Sequence, residues 1–347
     1  MRLRENPETK RGRLVRFQHD SKVLRDNPWE DPFEREVAVY LPHDYSESGS
    51  PFVALWDLAA YTNSGPGHLN WRNQGENLVQ RLDRLIGQGL MNSAAVVIPD
   101  CYTSLGGNQY VNSPSVGAYS DYLVSELVPF LEQRLNLVRN RTGRGLFGKS
   151  SGGFGALHLA MTFPDCWGGV ASLAGDAGFD LVYRPEFPGA CRALAAFDGD
   201  VHAFMRAFWS KNRPGGPDYS TMMILAMAAS YDPDPRNPEN IRLPFDLQTC
   251  KLIPERWDRW LAFDPVHRAA QAREALQSLH ALIIEVGIHD QYNIQFGSRQ
   301  LLNRYNSLEI DCQYEEFDGS HSSIDWRLDH VLPKLASALK NAADGSS

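Results

Sequence analysis

The sequence predicts an α/β fold, a mostly parallel central sheet with helices on its faces. Three observations predict it. Short continuous apolar runs recur along the chain, helical patterns lie between them, and a glycine-rich turn joins one run to a helix. Continuous rather than alternating runs suit strands buried on both faces, as in a helix-covered parallel sheet. Strand–helix alternation sustained over 347 residues is the signature of that architecture.

Residues 12–18 and 35–41 come first, largely alternating and β-branched, and suit an antiparallel edge hairpin that opens the sheet. Buried strands follow at Pro51–Trp56, Ala94–Ile98, Gly145–Phe147, Gly168–Leu173 and Ala281–Val286, with a last one before Phe317. Between them, Asn77–Gln88 places Leu78, Leu82, Leu85 and Ile86 on one helical face, and Tyr119–Leu135 repeats the pattern. The spacing breaks once. Leu173 and Ala281 lie much farther apart than a crossover needs, and the interval is rich in aromatics and methionine, among them Phe208, Trp209, Met223, Tyr231 and Trp260. It leaves and rejoins the sheet at the edge where sites of such folds lie, so it reads as a mainly helical lid; a second domain remote from the chemistry is the alternative. The predicted division is an N-terminal arm and edge strand at 1–34, a core at 35–176 and 266–343, and a lid at 177–265.

Composition excludes several function classes. With 42 acidic against 34 basic residues, the net charge of −8 argues against nucleic acid or an anionic membrane as partner. No apolar run reaches the roughly 18 residues of a membrane span. The start, Met1–Glu8, is charged and lacks an apolar core, which reads as cytoplasmic. The five scattered cysteines include no CxxC pair and suit reduced thiols, and the ten histidines show no ligand spacing, so neither metal nor cofactor is expected. A homo-oligomer stays open, with the segment before the first strands either an arm against a partner chain or loose.

The chemistry concentrates at Gly148-Lys149-Ser150-Ser151-Gly152-Gly153, a G-x-S-x-G match with a strand before it and a small-residue helix after it. That is the setting of a nucleophile elbow. The turn strains the serine backbone, and side chains two positions to either side would clash with strand and helix. A rival overlaps it: Gly143–Ser150 also fits G-x-x-x-x-G-K-S, the phosphate loop of nucleotide hydrolases. That loop needs a buried strand before Gly143, where Arg139-Asn140-Arg141-Thr142 stands instead. A nucleophilic serine needs a base and an acid, in the order Ser, Asp, His in this fold. Asp290, just past the Ala281–Val286 strand, supplies the acid and His321, beyond the last strand, the base; Asp176 is the alternative acid. The amides of Ser151 and of Ala59, with Leu58 next, would bind the oxyanion. Leu58, Tyr61 and Trp71 are candidates to contact substrate, though Tyr61 and Trp71 would equally pack their loop.

These residues resemble the putative-esterase family of α/β-hydrolases, which includes esterase D (S-formylglutathione hydrolase), feruloyl and acetylxylan esterases, enterochelin esterases and mycolyltransferases. The resemblance spans roughly residues 30 to 340. It rests on Gly148–Leu157 (GKSSGGFGAL), on Tyr122–Pro129 before the elbow and on Gly319-Ser320-His321 before a tryptophan-bearing helix. It implies a Ser150–His321–Asp290 triad acting on a small-molecule ester with no cofactor. Two positions depart from it. Lys149 stands where the family often has histidine, and reads as a packing or surface residue, with contact to a substrate carboxylate the alternative; Leu58 replaces the usual oxyanion-loop glycine. The function expected is hydrolysis of small to medium, apolar or aromatic carboxylic esters through an acyl-enzyme. Acyl transfer by the same triad, a specialised enterochelin-esterase-like or S-formylglutathione-hydrolase-like activity, and a catalytically dead binding protein are the alternatives.

Overall fold

The computed structural model describes residues 9–345; the charged start read as cytoplasmic lies outside the described residues. One sheet of eight strands carries the fold: β1 (Arg13–Asp20), β2 (Glu34–Leu41), β3 (Ala54–Leu58), β4 (Ala95–Pro99), β5 (Arg144–Lys149), β6 (Gly169–Leu173), β7 (Ala281–Gly287) and β8 (Gln313–Phe317). Their order across the sheet is β1-β2-β4-β3-β5-β6-β7-β8. β2 runs antiparallel to both β1 and β4, and every pair from β4 to β8 is parallel. The strands read from continuous apolar runs, β3, β4, β6 and β7, are buried at every residue, whereas the edge strand β1 alternates. Helices on both faces cause that difference.

Helix α1 (Leu78–Gly87) starts on an Asn77–Gln80 capping box and buries the predicted leucine face. Helix α2 (Ser151–Thr162) is buried from Ser151 to Met161, as its small residues allow. The Tyr119–Leu135 stretch departs from the prediction of one regular helix. It runs as a turn at Tyr119–Asp121, a wider π-helical stretch at Tyr122–Leu127 and a last helical segment at Val128–Glu132. Pro129 has no amide hydrogen to give the preceding turn, and the widened turn precedes it.

The nucleotide reading of Gly143–Ser150 is overturned here. Arg144–Lys149 is not a loop but strand β5, with Leu146 between Trp56 of β3 and Val170 of β6. Amides committed to two ladders cannot wrap a phosphate.

The interval between β6 and β7 is helical, with helix α3 (Gly216–Tyr231) buried over most of its length. Aromatic rings interlock through it: Phe179, Tyr183, Tyr231 and Trp260 meet one another and Phe154 of α2. Its two ends are clasped by one buried carboxylate. Asp264 accepts from the amides of Gly178 (3.0 Å), Phe179 (2.7 Å) and Val266 (3.0 Å). Among the described residues no helix is long and apolar enough to cross a membrane.

Removing the clasp strands three amides, two of them at buried contacts, and a buried amide without a partner costs about 1–3 kcal/mol. Asp264→Ala is therefore expected to lower stability by about 3 kcal/mol in urea unfolding. A change below about 0.5 kcal/mol would show that the clasp does not hold the insertion.

Candidate active site

β5 ends at Lys149, and Ser150 turns the chain into α2 with φ 54° and ψ −124°, a left-handed conformation for a residue with a side chain. The Ser150 amide donates to Leu173 O (3.0 Å) and its carbonyl accepts from Phe154 N (2.8 Å), so both sides of the strained residue are held. The glycines around it are there for space. A Cβ on Gly152 would stand 1.9 Å from Leu58 O, and one on Gly148 would stand 2.5 Å from the Gly152 carbonyl carbon.

The loops after β7 and β8 bring the predicted acid and base together. His289 N donates to Gly319 O (2.9 Å) and Ile288 N to Phe317 O (2.9 Å), tying one loop to the other. His321 Nδ1 donates to Asp290 Oδ2 at 2.7 Å, and the same carboxylate accepts from Tyr292 N (2.9 Å). Asp290 is buried, and His321 is 7% exposed at the wall of a cavity of about 700 Å³ that Ser150 also borders. With Nδ1 engaged, Nε2 is the ring nitrogen left to act.

Asp176, the alternative acid, sits on the nucleophile rather than on the histidine. Ser150 Oγ donates to its Oδ1 at 3.3 Å. Its Oδ2 accepts from Tyr183 OH (2.8 Å) and Ser151 Oγ (3.3 Å). Ser151 Oγ in turn accepts from Gln109 Nε2 (2.6 Å), and Gln109 Oε1 accepts from Tyr231 OH (3.0 Å), which lies 3.5 Å from Tyr183 OH. The result is a buried hydrogen-bonded chain, Tyr231–Gln109–Ser151–Asp176–Tyr183, whose two phenol ends lie side by side with both hydrogens already committed. Burial pushes the Asp176 carboxyl up, against the pull of those donors and of His321. Gln109 carried no signal in the sequence reading. Gln109 follows β4 at the sheet's carboxyl edge, where topology alone places functional loops.

The remaining expectations divide. Ser151 and Tyr61 border the cavity, and Tyr61 OH donates to Leu105 O (2.7 Å). Leu58 does not touch it, because it is the last residue of β3, wholly buried and paired with Gly148. Trp71 is 64% exposed and borders neither this cavity nor its neighbour. Ala59 is buried behind the wall, and its carbonyl accepts from Tyr110 OH (2.6 Å). In a trans peptide the amide hydrogen points opposite the carbonyl, so the Ala60 amide is turned away from Tyr110, and Ala60 borders the cavity. Phe208, Trp209, Tyr219 and Met223 of the insertion form much of the remaining lining.

A smaller cavity of about 290 Å³ adjoins, bordered by Asp57, His68, Arg72, Lys149 and Asp325. His68 Nδ1 meets Asp57 Oδ2 at 2.5 Å; burial opposes the charged imidazole, but Asp57 outweighs it and the pKa is raised. Among the described residues, Glu285, Glu315 and His330 stand close enough for a shared ion. Arg327, however, takes Glu285 at 2.5 Å and Glu315 at 2.6 Å, so the carboxylates are already neutralised.

Comparison with known proteins gives a family and a fold. The family described as "Putative esterase" matches residues 32–333. "Uncharacterized protein YbbA" of Bacillus subtilis (strain 168) is 25% identical over 160 residues, 42% of this chain, and the chain spans 58% of that relative's length. Among solved structures, a ferulic acid esterase superposes with a TM-score of 0.61 at 17% identity, covering 94% of this chain and 99% of its own. An S-formylglutathione hydrolase from Staphylococcus aureus gives 0.56 at 14% identity, covering 96% and 99%. At these identities the two structures establish a shared α/β-hydrolase fold.

The crowding at Gly152 is testable. Gly152→Ala must push Leu58 O and the turn after it away, and is expected to slow fluorophosphonate labelling of Ser150 about a hundredfold, the scale of a lost oxyanion donor. Gly189→Ala, where an added Cβ meets nothing within 4 Å, is the control. Equal labelling rates for the two variants would show that the packing at Gly152 does not shape the site.

Proposed function

This chain belongs to the Putative esterase family, and from that premise we propose that it hydrolyses carboxylic esters through a Ser150–His321–Asp290 triad and an acyl-enzyme. The observation that carries the reading is the 2.7 Å Asp290–His321 pair beside a strained serine on the same cavity.

His321 Nε2 takes the Ser150 Oγ proton as Oγ attacks the ester carbonyl. Asp290 keeps the imidazole in the tautomer that leaves Nε2 free and stabilises the imidazolium. The Ser151 amide, at the start of α2, and the Ala60 amide receive the oxyanion; moving the second donor from Ala59 to Ala60 follows the direction of the peptide held by Tyr110. His321 then gives its proton to the leaving oxygen, and water, activated by the same nitrogen, cleaves the acyl-enzyme. Ser150 must leave Asp176 for His321 before attack, a rotation about χ1. The aromatic lining contributed by the insertion supports apolar or aromatic esters as substrates, with the 177–265 segment acting as the lid over them. The cytoplasmic setting expected from the sequence belongs to the same proposal.

The test is a p-nitrophenyl ester series, acetate to decanoate with a ferulate, on wild type and variants. Ser150→Ala is expected to abolish turnover, and Asp290→Asn to lower kcat about 10⁴-fold by releasing the wrong tautomer. Asp176→Asn is expected to cost far less, because it does not touch His321. If Asp176→Asn and Asp290→Asn traded places in that ranking, the acid would be Asp176. If wild type neither cleaves any ester nor labels with fluorophosphonate, the hydrolase reading fails.

A further inference from the structure

β5 delivers two consecutive residues to the site, Ser150 and, before it, Lys149. Lys149 borders both the main cavity and the smaller one beside it, standing at their junction. Its side chain is largely covered, yet its ammonium has no carboxylate within 4.0 Å and no hydrogen bond among the described residues. The carboxylates that act on it from a distance are both committed: Asp325 to Arg72 at 2.7 Å and Asp290 to His321 at 2.7 Å. Burial pushes the ammonium below the usual lysine range, those two carboxylates pull it partly back, and Arg72 adds to the push.

Covered charges in folded proteins are paired, because desolvation is otherwise uncompensated. The fully buried arginines of this chain follow the rule, and Arg268, covered to a similar degree as Lys149, meets His158 Nδ1 and Thr162 Oγ1 in place of a carboxylate. The four buried arginines, Arg35, Arg81, Arg144 and Arg327, meet Asp100, Asp329, Glu132 and Glu285 respectively. Lys211, the other lysine at the main cavity, holds Asp218 at 2.6 Å. Lys149 departs from the rule where a ligand enters.

Its position also says which half of a substrate it meets. The smaller cavity is bordered by Ser323, Ile324 and Asp325, from the segment just after His321. In triad chemistry the histidine gives its proton to the leaving oxygen, so the leaving group lies on the histidine's side. We propose that Lys149 anchors a carboxylate carried by the leaving alcohol, so that the preferred substrates are esters of hydroxy acids. The inference rests on the ester-hydrolase reading and deepens it. A single negative charge fits the surroundings better than two, because Asp57 and Asp325 also border the smaller cavity.

The experiment compares 3-acetoxybenzoate with 3-acetoxybenzamide, leaving groups of one shape that differ in charge, and adds 3-acetoxyphenyl phosphate as a dianion. Wild type is expected to favour the benzoate over the benzamide about tenfold or more in kcat/KM, mainly through KM. In Lys149→Met that ratio falls to about one; Lys149→Arg keeps most of it, and Lys211→Met keeps it all. A wild-type ratio near or below one overturns the proposal, as does a ratio that survives Lys149→Met. Equal losses on both esters in Lys149→Met would assign the lysine to the fold of the turn and overturn it too. Preference for the phosphate over the benzoate would overturn the carboxylate assignment. If wild type labels with fluorophosphonate but cleaves neither benzoate nor benzamide, this inference falls alone; if it neither labels nor cleaves any ester, the hydrolase reading falls with it.

Discussion

The site depends on one crowded turn. Ser150 holds φ 54°, and the chain can pass from β5 into α2 there only because Gly148 and Gly152 leave room for each other and for Leu58 O. Leu58 is also the residue from which the Ala59–Ala60 turn departs. The turn at Ser150 and the Ala59–Ala60 turn are thus set by the same contact between β3, β5 and the start of α2. Strain of order 1–3 kcal/mol at such a residue survives only where its neighbours over-determine it. Here the Leu173 carbonyl and the Phe154 amide hold Ser150 from both sides.

Around this turn the insertion is wired into the core rather than laid over it. Tyr183 and Tyr231 come from beyond β6, Gln109 from the loop after β4, and Ser151 from the first turn of α2; with Asp176 they form one hydrogen-bonded chain. Trp209 adds a further tie, its indole donating to Ser104 O at 2.9 Å. A buried polar network with every member satisfied resists distortion, because breaking any link leaves a desolvated group unpaired. The network also separates the places of two carboxylates. Asp290 meets the His321 imidazole. Asp176 lies beside the Ser150 oxygen, and burial raises its pKa against the pull of its hydrogen-bond donors.

The parts legible in the sequence are those with local codes. Continuous apolar runs located β3, β4, β6 and β7 because burial on both faces leaves no polar alternate position. The glycines at 148 and 152 identified the strained serine because only sterics explains them. Chain order selected Asp290 and His321, and the two meet at 2.7 Å. What escaped has no local code. The direction of the Ala59–Ala60 peptide is set by Tyr110, distant in the chain, and any residue supplies an amide. The hydrogen-bonded chain through Gln109 and Tyr183 exists only once the insertion has folded back. Trp71 looked like a pocket residue because it is large and apolar near the oxyanion loop, yet nothing packs enough of it to bring it inside.

Lys149 shows how backbone geometry can force a side chain into a site. Along a strand successive side chains alternate between faces, so a residue next to the nucleophile would ordinarily point away from it. The left-handed turn at Ser150 breaks that alternation at the strand's end, and both residues reach the carboxyl edge, where the cavities lie. Whatever occupies position 149 therefore borders both cavities. An unpaired cation is costly while the cavity is empty and favourable once an anion or a developing negative charge is beside it.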